Sequence, residues 1–250
     1  MTRLILSGAG GRMGRILAEK CRENGIQVVA GVDIRATEAD FPVYSSIADV
    51  KEEADVVIDF SHPSALPSLL AFSEGKKLPL ILCATGYSEE DIGNIRASSS
   101  LIPIFRSANM SLGVNVLVAL VRKAAEALEG FDVEITEMHH NKKLDAPSGT
   151  ANMLLKAVTD ADEEKYPLYD RHPLRRPRDP KEVGMHSLRG GTVVGDHSVI
   201  FAGQNETLTI SHSAESREVF AMGAVRAILY MQDIKAPRLY DMNDVIGNLL

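Results

Sequence analysis

Cysteine is scarce in this chain: Cys21 and Cys83 are the only two among 250 residues. Two distant thiols supply neither a disulfide framework nor a cysteine metal cluster. Long apolar runs are missing as well. None approaches the roughly 18 residues of a spanning helix. The N-terminus enters a strand-like run, Leu4-Ile5-Leu6, without a signal-peptide pattern. A basic excess is also absent. The net charge of −7 argues against nucleic acid or an anionic membrane as the main partner, although local basic clusters can still hold small anions. These absences leave a globular, cytoplasmic protein with no nucleic acid and no membrane among its partners. The chain has no internal repeat, and its length suits one large or two smaller domains, each with a real core.

What is present falls into two patterns. Up to Asn109, short apolar runs alternate with helical stretches. Strands are expected at Arg3–Ser7, Gln27–Val32, Asp55–Phe60, Leu80–Cys83 and Ile102–Phe105, with a helix from the first Gly-rich turn to about Asn24. Such alternation implies a parallel sheet covered on both faces, and right-handed crossovers make it a doubly wound, Rossmann-like α/β domain. Beyond Asn109 the pattern changes. Val114–Leu128 reads as an amphipathic helix, Asp132–Glu137 as a strand, and Ser148–Val158 as a second helix. Residues 161–182, charged and proline-rich, read as an exposed loop. Three strand runs follow, Gly184–Leu188, Thr192–Ala202 and Thr207–Ser213, then a helix at Glu218–Met231. Consecutive strands imply an antiparallel or mixed sheet, hence an α+β mixed-sheet domain. The expected division is residues 1–109 with 217–250 for dinucleotide binding, and 110–216 for substrate binding and oligomerisation. One apolar face of the second sheet, carrying Val193, Val199, Phe201, Leu208 and Ile210, is expected to lie open and be buried between subunits; the alternative is that the Val114–Leu128 helix covers the sheet alone.

Two segments carry chemistry. Gly8-Ala9-Gly10-Gly11-Arg12-Met13-Gly14 follows a strand and opens a helix. Glycines there let the backbone approach a pyrophosphate, and the helix start favours its charge. Met13 occupies the third glycine position of G-x-G-x-x-G, while Gly8, Gly11 and Gly14 fit G-x-x-G-x-x-G. Asp33 ends the second strand at the distance that ribose recognition requires. It favours NAD, while Arg12 and Arg35 can offset its repulsion of a 2′-phosphate, so NADH and NADPH both remain open.

The second segment, Glu137–Thr150, packs two adjacent histidines, two lysines and a Pro-Ser-Gly-Thr helix start into fourteen positions. Ser148 is a natural N-cap. The amides of Gly149 and Thr150 then face one spot suited to a carboxylate. Lys142 and Lys143 add positive charge, and a lysine can also give a proton. His139 and His140 titrate near neutrality and suit proton transfer. Adjacent histidines also suggest a metal, but no third ligand stands at useful spacing, and no metal is expected.

These residues resemble the signature of the 4-hydroxy-tetrahydrodipicolinate reductase family, also called dihydrodipicolinate reductase, of lysine and diaminopimelate synthesis. The resemblance covers Gly8–Gly14, Val57–Ser61, Ala84–Gly86, Ser107–Asn115, Glu137–Ala151, Ser216-Arg217 and Phe220–Arg226. It implies NAD(P)H-dependent reduction of a small dicarboxylate, with His139 as the acid/base and Lys143 as the proton donor. His140, Lys143, Gly149 and Thr150 would bind the substrate, with Ser148 beside them. Gly8, Ala9, Gly10, Gly11, Arg12, Met13, Asp33, Cys83, Ala84, Thr85, Ser107, Ala108, Asn109 and Met110 would line the cofactor, with Arg217 approaching it from the hinge. A homotetramer joined through the second-domain sheets is also implied. Three positions depart from the family pattern. Cys83 stands where glycine is frequent, Ile34 where a basic residue often follows the ribose acid, and Met110 where an aromatic is frequent. Competing readings are another two-domain nicotinamide dehydrogenase, which needs no Lys-x-Asp-Ala-Pro-Ser-Gly-Thr block, and a non-catalytic dinucleotide sensor, in which His139 and Lys143 would be dispensable.

Overall fold

The computed structural model describes residues 1–35 and 38–247; residues 248–250, counted above with the first domain, lie outside the described residues. In chain order the elements are β1 (Thr2–Ser7), α1 (Arg12–Glu23), β2 (Ile26–Val32), β3 (Val43–Tyr44), β4 (Val56–Asp59), α2 (Leu66–Lys76), β5 (Leu80–Leu82), α3 (Glu89–Ser98) and β6 (Ile104–Arg106). There follow α4 (Leu112–Ala127), β7 (Asp132–His139), α5 (Gly149–Ala161), β8 (Tyr166–Leu168), β9 (Glu182–Arg189), β10 (Gly195–Ala202) and β11 (Thr207–Ala214). The chain ends with α6 (Glu218–Met231), β12 (Leu239–Tyr240) and α7 (Met242–Ile246). Its described residues divide into two compact units, one of Met1–Leu112 with residues 218–247, the other of Gly113–Arg217.

The first unit is built on a seven-stranded sheet in the order β12-β6-β5-β4-β1-β2-β3, with every neighbouring pair parallel. Successive strand residues point to opposite faces, and both faces here are apolar. Leu4, Leu6, Val56, Ile58, Ile81 and Phe105 pack with Leu17 and Cys21 of α1 and with the Ala221–Met231 stretch of α6. Ile5, Val57, Leu80, Leu82 and Ile104 pack on the other side with α2 and α3. The helices have local causes. In α3, Ser88 and Asp91 form a capping box and three acids occupy the first turn, where they match the helix dipole. In α1, Lys20 and Arg22 fill the last turn.

The second unit holds a mixed sheet in the order β11-β10-β7-β9-β8. β10 runs antiparallel to both β11 and β7, whereas β9 is parallel to β7 and β8. Its register stacks side chains in rows across the inner face. Val183, Val133, Phe201 and Leu208 form one row, and Met185, Ile135, Val199 and Ile210 the next. Leu117 and Val121 of α4 with Ala151, Leu154 and Val158 of α5 cover these rows.

This arrangement overturns the expected open apolar face. Val199 and Phe201 are fully buried within the chain, Ile210 packs at the margin of the same core, and Val193 lies in the turn before β10. Only Leu208 keeps substantial exposure, at 43%. The reason is that α5 joins α4 as a cover, so two helices close one sheet face. Residues 161–182 also differ from the expected open loop. Tyr166–Leu168 pairs with β9, Glu182 is fully buried and holds Arg171 and Arg176, and Arg178 bonds Asp132 and Glu134.

Phe201→Ala should therefore cost about 3–5 kcal/mol of stability in urea unfolding, and the loss should not vary with protein concentration. Leu208→Ala should cost clearly less. A Phe201 loss that grows on dilution would place that side chain in a subunit interface instead.

Candidate active site

The first cluster sits at the carboxyl ends of the parallel strands, where open α/β sheets bind ligands. The turn after β1 is tight: the amides of Gly8 and Ala9 both donate to the Val32 carbonyl at 2.8 and 3.2 Å, and Gly11 N–H donates to the Gly8 carbonyl at 3.0 Å. Gly8 has φ +80°. A Cβ on Gly14 would strike the Gly8 carbonyl and the Ala9 backbone. Gly14 therefore takes the close-packing role, and the G-x-x-G-x-x-G reading describes the turn. Gly11 caps α1 without a side-chain acceptor, an arrangement at the Arg12 helix start that suits an anion. Asp33 is fixed by two amides, Gly10 N–H to Oδ2 at 2.9 Å and Arg35 N–H to Oδ1 at 3.0 Å. A cleft of about 440 Å³ runs from Gly8 and Gly11 past Asp33 and Arg35 to Ser46 and His62. Its bare glycine backbone and carboxylate fit a dinucleotide.

The neighbouring loops leave the same sheet edge. Cys83, Ala84 and Thr85 follow β5, and Cys83 N–H donates to the Asp59 carbonyl. Burial and the Asp59 charge hold the Cys83 thiol well above its usual range. Ser107, Ala108, Asn109 and Met110 follow β6. Ser107 Oγ–H donates to the Asn109 carbonyl at 2.6 Å and Asn109 Oδ1 accepts from Ser111 N–H at 2.9 Å, so this loop is self-braced. The Met110 side chain joins the core. Asp59 ends β4. It is a fully buried carboxyl at this edge, pushed up by burial against the opposing Ser61 hydrogen bonds.

The second cluster continues the rows of the second sheet. Beyond the two apolar rows come Ser187, Glu137, His197 and His212, then Arg189 and His139. Glu137 has no side-chain exposure and gathers four donors. They are Arg189 Nη1 at 2.8 Å, Arg189 Nη2 at 2.9 Å, His139 Nδ1 at 2.6 Å and Ser148 N–H at 3.2 Å. Burial alone would raise its pKa, but the Arg189 and His139 bonds outweigh that and bring it to about 2. Ser148 caps α5, its Oγ accepting from Ala151 N–H at 3.1 Å, and the same Oγ is hydrogen-bonded with His197 Nε2 at 3.1 Å. His197 is pushed down to about 4, first by burial and then by the facing His139, and is neutral at pH 7. The His139 and His197 rings meet edge to face at 5.1 Å. Lys143 Nζ pairs with Asp145 Oδ1 at 2.9 Å, and the Asp145 carbonyl accepts from Arg189 Nη2 at 2.6 Å.

The structure thus brings together His139, Ser148, the α5 start at Gly149 and Thr150, and, through Asp145 and Arg189, Lys143. His140 is half-buried, its carbonyl accepting from Lys143 N–H, and Arg217 directly precedes α6. Sequence reasoning missed Arg189 and His197 and used Glu137 only as a strand end. A buried acid in an alternating strand beside two histidines was the available signal for Glu137. Among the described residues, no group of three or more His, Cys, Asp or Glu is placed to hold a metal ion, and no helix is long and apolar enough to cross a membrane.

The profile described as dihydrodipicolinate reductase, N-terminus, matches residues 2–110, and that described as dihydrodipicolinate reductase, C-terminus, matches residues 113–246. The chain is 52% identical to the 4-hydroxy-tetrahydrodipicolinate reductase of Caldanaerobacter subterraneus over 98% of each chain. It is 45% identical to that of Clostridium botulinum over 99% of each. In fold it is similar to the dipicolinate-bound dihydrodipicolinate reductase from Paenisporosarcina sp. TG-14, with a TM-score of 0.81, 21% identity and full coverage of both chains. An amine dehydrogenase from Mycobacterium smegmatis shares the fold more loosely, with a TM-score of 0.63 at 10% identity over 95% of each chain. With both halves matched and close relatives over its whole length, the chain belongs to the dihydrodipicolinate reductase family.

Proposed function

We propose that the Glu137-centred cluster binds and protonates the substrate of an NAD(P)H-dependent 4-hydroxy-tetrahydrodipicolinate reductase acting in lysine and diaminopimelate synthesis. The observation that carries this reading is the joining of His139, the Ser148 cap and the α5 start on one buried carboxylate, in a chain of this family. The substrate is a cyclic imine with two carboxylates; it loses water and then takes up a hydride and a proton. Reduced nicotinamide, when bound, supplies the hydride. The glycine turn of Gly8, Gly10 and Gly11 with Arg12 and Met13 would hold its pyrophosphate, and Asp33 its adenosine ribose. The loops at Cys83–Thr85 and Ser107–Met110, with Arg217, would line the rest of it.

The chain's own residues handle charge and protons. The α5 start at Gly149 and Thr150 receives one carboxylate, with Ser148 fixing that start and His140 contributing beside it. Lys143 offsets negative charge and delivers its ammonium proton as the ring is reduced. His139 serves as acid/base, with its Nδ1 held by Glu137. The Lys143–Asp145 contact supports this role, because an exposed carboxylate partner can be exchanged for a substrate carboxylate. We read the protein as a cytoplasmic homotetramer that meets through the outer face of the second sheet, where Met138 stands beside Leu188, itself 47% exposed.

Substrate generated in place from pyruvate and aspartate semialdehyde by the preceding synthase should drive nicotinamide oxidation that requires every component. Replacing His139 with Gln should slow turnover by roughly 10²–10⁴-fold, and Lys143→Ala should cut it comparably. Intact turnover in Lys143→Ala would remove the proton-donor assignment.

Both cofactors should support turnover. Arg35→Ala should lower kcat/KM for NADPH relative to NADH by roughly tenfold, as expected for one charged contact; an unchanged ratio would show that Arg35 does not meet the 2′-phosphate. Leu188→Asp should reduce the particle mass in light scattering, and an unaltered tetramer would rule that face out.

A further inference from the structure

We propose that Glu137 and Arg189 are a positioning pair that orients the His139 ring and sets the charge it faces. The inference rests on the reading of His139 as the acid/base group and extends it to two residues outside the substrate contacts. Glu137 cannot act on substrate directly, since it is fully buried and both of its oxygens are occupied. Oε2 takes His139 Nδ1 and Arg189 Nη1, while Oε1 takes Ser148 N–H and Arg189 Nη2. A carboxylate that accepts from Nδ1 fixes the imidazole tautomer and leaves Nε2 as the nitrogen that exchanges protons.

The opposite side of the ring is shaped by an absence. A Cβ at Gly195 would lie 3.0 Å from His139 Nε2, so a larger residue there would press on the reactive nitrogen. Glycine at the first position of β10 keeps it clear. Every neighbouring element contributes to the ring's electrostatics. Glu137 comes from β7 itself, Arg189 from β9, His197 from β10 and His212 from β11 behind it. Lys143 and Asp145 come from the segment before α5. His197 stays neutral at pH 7 (its pKa is about 4), and Asp145 is matched by Lys143. The charge bonded to the ring is therefore Glu137, and Arg189 is bonded to that carboxylate rather than to the ring.

The roles of the two are opposed. Glu137 places a negative charge against His139 Nδ1, and Arg189 draws that charge into a two-pronged ion pair. Without Arg189 the carboxylate would act on His139 unopposed; without Glu137 the ring would face a guanidinium alone. A scaffold role would instead make both losses act alike, through weakened packing.

The test is the His139 titration followed by NMR in the full chain, alongside the pH profile of kcat/KM. Glu137→Gln should move the His139 titration to lower pH, the direction expected when a neighbouring anion is lost, and Arg189→Met should move it to higher pH. The double variant Glu137→Gln with Arg189→Met leaves no unpaired buried charge, which such sites tolerate better than half a pair. It should fold and should also lower the pKa, and Glu137→Asp should restore it part of the way. Shifts in the same direction in both single variants, or no shift in the folded double variant, would overturn the proposal. Opposite shifts in the titration with an unmoved pH–rate profile would leave the pair's role standing and remove His139 from proton transfer.

Discussion

A carboxylate sealed from water has to find its compensation inside the protein, and the second unit is arranged around meeting that need at Glu137. Desolvation of a charge costs several kcal/mol even after the surroundings relax. Four donors from three separate parts of the chain meet it: the strand's own His139, Arg189 at the end of β9 directly before a glycine pair, and the amide at the start of α5. Each bond also fixes a piece of the site. The His139 bond sets a ring, the Ser148 bond sets a helix entry, and the Arg189 bonds tie β9 to β7. Removing any one donor would strand charge where solvent cannot reach it. Geometry at this site is therefore coupled to the stability of the unit.

The sheet register explains how such a site can sit beside an ordinary core. Along each strand of the inner face the residues pass from apolar to ionisable within four alternate positions. On β7 they run Val133, Ile135, Glu137, His139, and on β10 Phe201, Val199, His197, Gly195. The α4 and α5 helices cover the apolar end. The N-terminus of α5 arrives at the polar end, so one helix serves both purposes, with an apolar flank over the core and its positive pole toward the ionisable row.

Much of this was legible along the chain, for definable reasons. The β1 turn announces itself because consecutive glycines, a preceding apolar strand and a following helix are local features. The Glu137–Thr150 segment announces itself because its groups are adjacent in sequence. The cover of Val199 and Phe201 was not legible, since alternation in a strand reveals that one face is apolar but not which helix lies on it. Arg189 and His197 were missed for a related reason. Each contacts residues about 50 positions away, and beside Gly190-Gly191 an arginine reads as an ordinary turn residue. β3, β8 and β12 have only two or three residues each, too few to form a period. The pairing partner makes them strands, not their own composition.

The two cations near His139 differ in a way that separates structure from binding. Arg189 spends both terminal nitrogens on a carboxylate with no exposure, and one of them also holds the Asp145 carbonyl. A ligand carboxylate would have to compete with a preorganised, two-pronged ion pair in a dry environment, and breaking it would leave Glu137 charged and unsupported. Lys143 pairs instead with Asp145, whose side chain is 62% exposed. Water can replace that contact at little cost, as with other surface ion pairs. Under the proposed function an incoming dianion would find its movable positive charge at Lys143 and its fixed one at the α5 start, whereas Arg189 would remain committed to Glu137. A lysine suits the first task because its ammonium is a single flexible point charge that can lose a proton, and an arginine suits the second because its planar fork matches a carboxylate and stays charged.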